Sequence, residues 1–442
     1  MTRIFGTDGV RGIANADLTA ELAFKLGQAG AGVLSKGRGG IFVIGKDTRV
    51  SGDMLEAALA AGICSVGSNV IQAGVLPTPA IAYLTKALRV DGGIVISASH
   101  NPAEYNGIKF FGADGFKLAD SVEDEIENAM GNQKDLPTGS SIGTIKSHSG
   151  ADDLYIDHAV ASITGGLDGL RVAIDCGNGA AYKVSPAVFK QLGADVLAVN
   201  TNPNGTNINQ GCGSTYIEYL QEIIGSHNVD VGFAHDGDAD RVIAIDENGD
   251  VVDGDFMLAI CAAHMKEQGK LPENALVTTV MANLGFDLAM KDHGIELVKT
   301  KVGDRYVLEE MLKRNIRIGG EQSGHIIFLD HATTGDGVIT ALQLASVIKQ
   351  TGKPLSELRK IMAKLPQVLI NVTVKQTNGW LEISSIRERI KKAEDELGNR
   401  GRILVRPSGT EPLIRVMVES DSGESASFIA SSVADIIRRE LG

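Results

Sequence analysis

Gly93-Ile-Val-Ile-Ser97-Ala98-Ser99-His100-Asn101-Pro102 decides how this chain is read. A short apolar run, opened by glycine and closed by a polar turn with proline, is a buried strand running into a tight bend. Its carboxyl end delivers Ser99, and the carboxyl ends of strands are where open α/β sheets hold their ligands. The backbone N–H groups of such a bend can cradle an anion.

Working outward, the same alternation of strand and helix continues. Ile41-Phe-Val-Ile-Gly45 is another buried strand, and Ser51-Gly52 opens a helix with Met54, Leu55, Ala58, Leu59 and Ile63 on its apolar face. Residues 69–73 read as a strand, and 78–88 as a helix with Pro79 in its first turn. From 131 to 150 the chain turns polar and loses periodicity, which reads as a linker with a domain boundary near residue 150. A second unit follows: strand 170–175, helix 185–192, strand 194–199, then strands 229–234 and 242–246 around an aspartate-rich loop. A third holds helix 256–265, strand 275–280, a loop at 299–304 leading into a helix, and helix 335–349, ended by Pro354 and Pro366. Beyond lie strand 369–374, a charged helix over 380–397, two strands within 403–418 around a proline-glycine loop, and an amphipathic helix over 425–441. The expected fold class is α/β: three successive mixed α/β domains (1–150, 151–253, 254–366) plus a smaller C-terminal α+β domain (367–442). Three β/α units of similar size suggest an architectural triplication, without a residue-level repeat.

The bulk numbers agree with several packed domains. At roughly 150 residues per domain, 442 residues give about three. Hydrophobic residues at 43 %, 53 glycines and few aromatics suit an α/β chain rich in tight strand-to-helix turns. A net charge of −13, with no Lys/Arg block, argues against a nucleic-acid surface but leaves room for a small anion held by local cations. The four cysteines, Cys64, Cys176, Cys212 and Cys261, lack metal-ligand or redox-pair spacing and read as free thiols in a reducing compartment. The N-terminus has no apolar signal core, and no run reaches the ~20 apolar residues of a membrane span, so the expected location is the cytoplasm, away from membranes.

The second informative stretch is Asp236-Gly-Asp238-Ala-Asp240-Arg241. Three carboxylates at alternate positions offer the oxygen ligands that a hard cation such as Mg²⁺ takes. An EF-hand also has acids at positions 1, 3 and 5, and Glu247 fits its position 12, but Arg241 stands where glycine is needed at 6 and the flanks read as strands. A haloacid-dehalogenase-like loop expects Thr or Val two residues past its second aspartate, where this chain has Asp240. A serine hydroxyl at a strand end plus a hard-cation site suggests phosphoryl transfer through a phosphoserine. Lys109, in Tyr105-Asn-Gly-Ile-Lys109, would counter phosphate charge or accept a proton, although taken alone it is as readily a surface lysine.

Four further stretches accompany these. Glu321-Gln-Ser323-Gly-His325 ends another strand; Glu321 and Ser323 suit adjacent sugar hydroxyls and His325 acid–base work, though a lone histidine is more often structural. The 299–304 loop adds Lys299 and Gly303 to the substrate-binding candidates. Arg406-Pro-Ser408-Gly409-Thr410-Glu411, with Arg415 on the next strand, has the composition of a phosphate clamp but is no P-loop, because no Gly-Lys-Ser/Thr follows. Phe5-Gly-Thr-Asp-Gly-Val-Arg11-Gly12 carries one cation between glycines.

These motifs, in this order, resemble the α-D-phosphohexomutase superfamily over the whole chain, and within it the bacterial branch acting on glucosamine phosphate. The resemblance implies four domains around a central cleft, with Ser99 as the phosphoserine. It implies one Mg²⁺ held by Asp236, Asp238, Asp240 and the seryl phosphate of Ser99. Arg11, His100, Lys109, Arg241 and His325 would surround the reaction, Glu321 and Ser323 would read the sugar, and Arg406, Ser408, Gly409, Thr410 and Arg415 would hold the idle phosphate. The implied activity interconverts glucosamine 6-phosphate and glucosamine 1-phosphate through a hexose 1,6-bisphosphate, on the route to UDP-N-acetylglucosamine. The implied assembly is a homodimer, and reorientation of the bisphosphate between transfers suggests that the terminal domain moves to open the cleft. A phosphomannomutase/phosphoglucomutase, a phosphatase and a catalytically silent sugar-phosphate binder are the alternatives. One departure is Ala239, where the family often has glycine; its methyl group narrows the loop's backbone choices.

Overall fold

The computed structural model describes residues 3–6, 8–131, 136–377, 379–408 and 412–442. The chain forms two compact units, Met1–Val280 with Ile295–Lys360, and Met281–Gly294 with Ile361–Gly442. Among the described residues, no helix is long and apolar enough to cross a membrane, and the four cysteines are buried free thiols.

The first unit holds three sheets. Strands β1 (Val10–Ile13), β2 (Ile41–Lys46), β3 (Asn69–Val75), β4 (Gly92–Ile96), β5 (Tyr105–Gly112) and β6 (Ile145–Ser147) lie in the order β1-β5-β4-β2-β3-β6. β2 runs parallel to β3 and β4, while β5 is antiparallel to both β4 and β1. β7 (Arg171–Asp175), β8 (Asp195–Val199), β9 (Val231–His235), β10 (Val242–Asp246) and β11 (Val251–Val252) form the second sheet, in the order β11-β10-β9-β7-β8. β12 (Ala275–Thr279), β13 (Glu296–Thr300), β14 (Ile318–Gly320) and β15 (Ile326–Phe328) form the third, in the order β13-β12-β14-β15.

One four-strand pattern recurs in all three. A first strand is flanked by the second and third, both parallel to it, and a fourth returns antiparallel beside the third. The strands filling these four places are β2–β5, β7–β10 and β12–β15. In each, the turn from third to fourth strand carries a candidate motif: the Ser99 bend after β4, the aspartate loop after β9, the Glu321 loop after β14. The triplication invisible in the residues is plain in the topology.

Close helix packing supports the first sheet. Helix Ala20–Leu34 crosses helix Ser51–Ser65 at two glycines. A methyl group on Gly62 would lie 2.1 Å from the Phe24 carbonyl oxygen, and one on Gly27 2.3 Å from that of Leu59.

In the second unit, β16 (Gln367–Thr373), β17 (Gly401–Pro407) and β18 (Leu413–Ser420) form an antiparallel sheet in the order β16-β18-β17. Val372, Val416 and Val418 pack against Ile386 of helix Ser384–Leu397 and against Ile429, Val433 and Ile437 of helix Gly423–Leu441. Buried Glu419 accepts from Arg402 Nε at 2.7 Å and from the Leu284 backbone N–H at 2.8 Å, tying in the 281–294 segment.

Three expectations change. The polar 131–150 segment is not only linker: β6 pairs parallel with β3, as an exposed edge strand too short for alternation to reveal. Lys299 lies within β13, paired with Thr278, rather than in a loop. The charged helix breaks at Ile383, whose extended backbone separates a single turn at Trp380–Glu382 from helix Ser384–Leu397; burial of Trp380 anchors the turn apart from the helix. Replacing Gly62 by alanine should lower the unfolding free energy measured in urea by about 1–3 kcal/mol, the usual cost of forcing a methyl group into a closed contact.

Candidate active site

Ser99 is held in left-handed backbone, φ +51°, and is 1 % exposed. An L-residue pays for that conformation, so the surroundings must enforce it. The Ser99 N–H donates to Ser97 Oγ at 3.0 Å, and Ser97 Oγ donates to Asp47 at 2.5 Å. The Ser99 carbonyl accepts from Arg49 and from Asn209, both at 2.9 Å. Its hydroxyl donates to Asp236 Oδ2 at 2.6 Å and lies 3.3 Å from His100 Nδ1.

The aspartate loop reaches this hydroxyl because its backbone has no side chain in the way. A methyl group on Gly237 would sit 2.5 Å from the Ser99 carbonyl oxygen. Ala239 takes left-handed backbone, φ +53°, its N–H on the Asp236 carbonyl at 3.1 Å and its own carbonyl accepting from Gly337 N–H at 2.9 Å. Its alanine therefore bends the loop inward at a backbone cost and leaves the carboxylates together.

Asp236, Asp238 and Asp240 are all buried, with one oxygen of each within 4.8 Å of the others. Lys109 Nζ lies 2.8 Å from Asp238 Oδ2, 2.9 Å from Asp8 Oδ2 and 3.8 Å from Asp240 Oδ2. Thr78 Oγ1 donates to the same Asp238 oxygen at 2.6 Å. His325 bridges Asp240 through Nδ1 and Asp304 through Nε2, each at 3.6 Å. Its ring fits because residue 335 is glycine: a methyl group there would fall 2.5 Å from it. Arg241 donates its backbone N–H to Asp236 at 3.2 Å, and its Nε lies 3.8 Å from Asp240 Oδ1 as an ion pair without a hydrogen bond. Arg11 pairs with Asp8 and reaches Asn101 Oδ1 at 3.4 Å.

Burial and the neighbouring Asp240 and Asp238 charges push the Asp236 pKa well up. Burial also opposes the Asp240 carboxylate, but Lys109, His325 and Arg241 outweigh it and hold that pKa far down. For Lys109, burial favours the neutral amine; Asp238, Asp8 and Asp240 overcome it and raise the pKa above that of an ordinary lysine. Lys109 is thus a fixed cation and suits charge compensation rather than proton acceptance. Burial, Arg241 and Arg11 depress His100, whereas Asp240 and Asp304 overcome burial to raise His325.

Two buried oxygens, Asp238 Oδ1 and Asp240 Oδ1, have no hydrogen-bond partner. Buried carboxylate oxygens without a hydrogen-bond partner, in a cluster of three acids, are what a hard divalent cation satisfies. The donor set, all oxygen, fits such an ion.

The structure gathers Ser99, Arg11, His100, Lys109, Asp236, Asp238, Asp240, Arg241 and His325 into one cluster through the contacts above. Gly303 enters beside it, donating its N–H to Glu321 Oε1 at 3.1 Å. Ser323 is exposed in the Glu321 loop, and Lys299 is half-buried on its strand. In the second unit Arg406 and Arg415 stand directly opposite each other across β17 and β18, and burial together with Arg415 lowers the Arg406 pKa. Like charges so placed favour an anion between them. Ser408 N–H closes the start of the loop on the Leu413 carbonyl at 2.8 Å; Gly409 and Thr410 lie outside the described residues. Sequence reasoning missed Asp8, Asp47, Arg49, Thr78, Asn209 and Asp304, and also Lys117, which pairs with both Asp8 and Asp304. Asp8 and Arg49 carried a signal, Asp8 between two glycine-flanked turns and Arg49 just beyond a strand's carboxyl end.

Sequence models of the phosphoglucomutase/phosphomannomutase domains match this chain in succession: α/β/α domain I at 2–136, domain II at 153–249, domain III at 253–365 and the C-terminal domain at 369–436. The chain belongs to the phosphoglucomutase/phosphomannomutase family. Family membership makes it an intramolecular phosphotransferase, and the family's divalent metal cofactor is compatible with the three aspartates. Phosphoglucosamine mutase of Clostridium novyi is 54 % identical over 448 aligned positions, covering 100 % of this chain and 99 % of that protein. A phosphoglucomutase/phosphomannomutase family protein of Burkholderia thailandensis superposes with a TM-score of 0.83 at 23 % identity, covering 99 % and 98 % of the two chains. Aspergillus fumigatus N-acetylphosphoglucosamine mutase, in complex with GlcNAc-6P and magnesium, gives 0.68 at 18 % identity, covering 98 % and 95 %. At these identities the structural likeness is one of fold.

Two outcomes test the geometry. Ala239→Gly should raise stability by about 1 kcal/mol, because glycine adopts left-handed backbone without the Cβ penalty; urea unfolding measures it. Asp240→Asn should raise the Mg²⁺ concentration for half-maximal activity by at least the roughly 10–100-fold that loss of a mere outer partner costs; an unchanged metal titration refutes the ligand role.

Proposed function

We propose that this enzyme interconverts glucosamine 6-phosphate and glucosamine 1-phosphate, with Ser99 as the phosphoryl carrier. The observation that carries this reading is a strained, buried serine hydroxyl 2.6 Å from one of three clustered aspartates, in a chain 54 % identical along its length to phosphoglucosamine mutases.

Phosphorylated Ser99 gives its phosphoryl group to the free hydroxyl of the bound sugar phosphate. The Oγ–P bond breaks, a P–O bond to the sugar forms, and a 1,6-bisphosphate results. The bisphosphate turns over, its other sugar O–P bond breaks as Oγ takes that phosphoryl group, and the released sugar oxygen recovers the proton. A magnesium ion on Asp236, Asp238, Asp240 and a seryl phosphate oxygen would neutralise charge on the transferring group. Lys109, Arg11 and Arg241 supply further fixed positive charge around it. His100, kept toward its neutral form, and His325, kept toward its charged form, are the carriers for the hydroxyl proton. Glu321, Ser323, Lys299 and Gly303 are assigned to the sugar. Arg406, Ser408, Gly409, Thr410 and Arg415 are assigned to the idle phosphate, which must be held at either end of the substrate in turn. The domains assigned to these parts are 1–150, 151–253, 254–366 and 367–442. A silent binder has no use for a transferable hydroxyl held under strain.

Incubation with glucose 1,6-bisphosphate should add the mass of one phosphoryl group to the intact chain, and none to Ser99→Ala. That variant should keep its fold and lose turnover by roughly three orders of magnitude or more, as removal of a nucleophile does. Full activity in Ser99→Ala sinks the phosphoserine. Side-by-side assays with glucosamine, mannose and glucose phosphates should show the highest kcat/KM for glucosamine; a preference for mannose or glucose, or net phosphate release, moves the assignment to another mutase or a phosphatase.

A further inference from the structure

We infer that Arg49, seconded by Asn209, is a positioning residue that sets the Ser99 bend in its transfer-competent shape, an inference resting on the phosphoserine reading above.

The side chain of Arg49 is 0 % exposed and pairs through Nε with Asp47 Oδ2 at 2.8 Å. Its two terminal nitrogens take three carbonyl oxygens of one bend: Ser99 at 2.9 Å, Asn101 at 2.8 Å, and Pro102. Three carbonyl dipoles aimed at one point repel unless a cation sits there. The same ion pair also governs the other side of the serine, because Asp47 accepts from Ser97 Oγ, which in turn accepts the Ser99 N–H. Both backbone polar groups of Ser99 thus end in one buried Arg49–Asp47 pair. From the second sheet's side, Asn209 Nδ2 donates to two of those carbonyls, Ser99 at 2.9 Å and Asn101 at 3.1 Å.

The consequence concerns the phosphoryl group. A left-handed residue can turn its carbonyl either toward its ligand or away from it. Arg49 and Asn209 draw the carbonyl lone pairs of the bend to its rear, so they do not confront phosphate oxygens, while Oγ faces Asp236. A guanidinium does this because its planar fork spans several acceptors at once; an ammonium is a point charge and cannot span Asp47 and three carbonyls.

The test compares Arg49→Lys, Arg49→Ala and Asn209→Ala with the wild type in the full chain. It reads thermal unfolding, steady-state kinetics with glucosamine 1-phosphate, and the rate of phosphoryl uptake from glucose 1,6-bisphosphate by intact mass. Folded Arg49→Lys should lose about 100-fold in kcat, the scale of a small misplacement of a reacting group, with KM little changed and phosphoryl uptake slowed in parallel. Millimolar guanidinium should restore part of the kcat of Arg49→Ala but not of Arg49→Lys, whose ammonium fills the space. Wild-type kcat in a folded Arg49→Lys, or a rise in KM alone, overturns the inference. Loss of kcat that tracks loss of thermal stability, with no rescue, overturns it in favour of a structural role. Should the Arg49 variants fail to fold, Asn209→Ala, which keeps the buried ion pair, decides: about a 10-fold loss of kcat with KM kept supports the inference, and unchanged kcat overturns it. Phosphoryl uptake in the wild type with equal uptake in the variants defeats this inference alone, whereas no uptake in the wild type defeats the phosphoserine reading and this inference with it.

Discussion

Three carboxylates within 4.8 Å of one another, all buried, are unstable company unless cations share the space. The first unit meets that demand from several directions. Lys109 comes from β5, Arg11 from β1, Arg241 from the aspartate loop itself, and His325 from the loop after β14. Asp8 and Asp304 tie those cations to Lys117 in turn. A group of charges that no single sheet could bury becomes tolerable only when three sheets close on it. Packing of the sheets and assembly of the site are therefore the same event, and removing one partner leaves an uncompensated buried charge rather than a local gap.

The recurring four-strand pattern explains how the pieces meet. In each sheet the third strand is parallel to the first and the fourth turns back beside it, so each sheet presents one hairpin turn at the carboxyl end of a parallel strand. The first of those turns carries the hydroxyl, the second the carboxylates, the third the glutamate and histidine. Backbone bonds tie the aspartate loop and its flank to their neighbours: Thr78 N–H on the Asp238 carbonyl at 2.9 Å, Val242 N–H on that of Gly324 at 3.2 Å, Gly337 N–H on that of Ala239 at 2.9 Å. Division of chemical labour among three equivalent turns lets each loop be short and stiff.

What the sequence makes legible follows from this design. The apolar strand ahead of Ser99 and the alternate aspartates are local patterns, and each lies within a dozen residues, so spacing alone exposes them. Asn209 and Lys117 belong to the site only through partners between 108 and 187 residues away, and nothing near them in the chain says so. β6 hid because an exposed three-residue edge strand has no buried face to imprint alternation. Lys299 looked like loop because a half-buried edge strand tolerates lysine beside Thr300. Periodicity records burial, and where burial is slight it records little.

The two left-handed residues outside glycine that matter most, Ser99 and Ala239, lie in the two loops joined by the Ser99 Oγ–Asp236 bond. Each would relax if cut from its surroundings, and each is held by backbone or buried side-chain bonds on both sides of its peptide unit. Strain of this kind persists only where the rest of the fold over-determines it. Here it has a chemical use. Ser99 lies just past the end of β4, and its left-handed bend sets the hydroxyl on Asp236. The matching bend at Ala239 lies between Asp238 and Asp240, whose oxygens stay within 4.8 Å of Asp236. Two locally unfavourable residues, each held by bonds from neighbouring loops, frame the contact that sets the hydroxyl 2.6 Å from the first of three carboxylates.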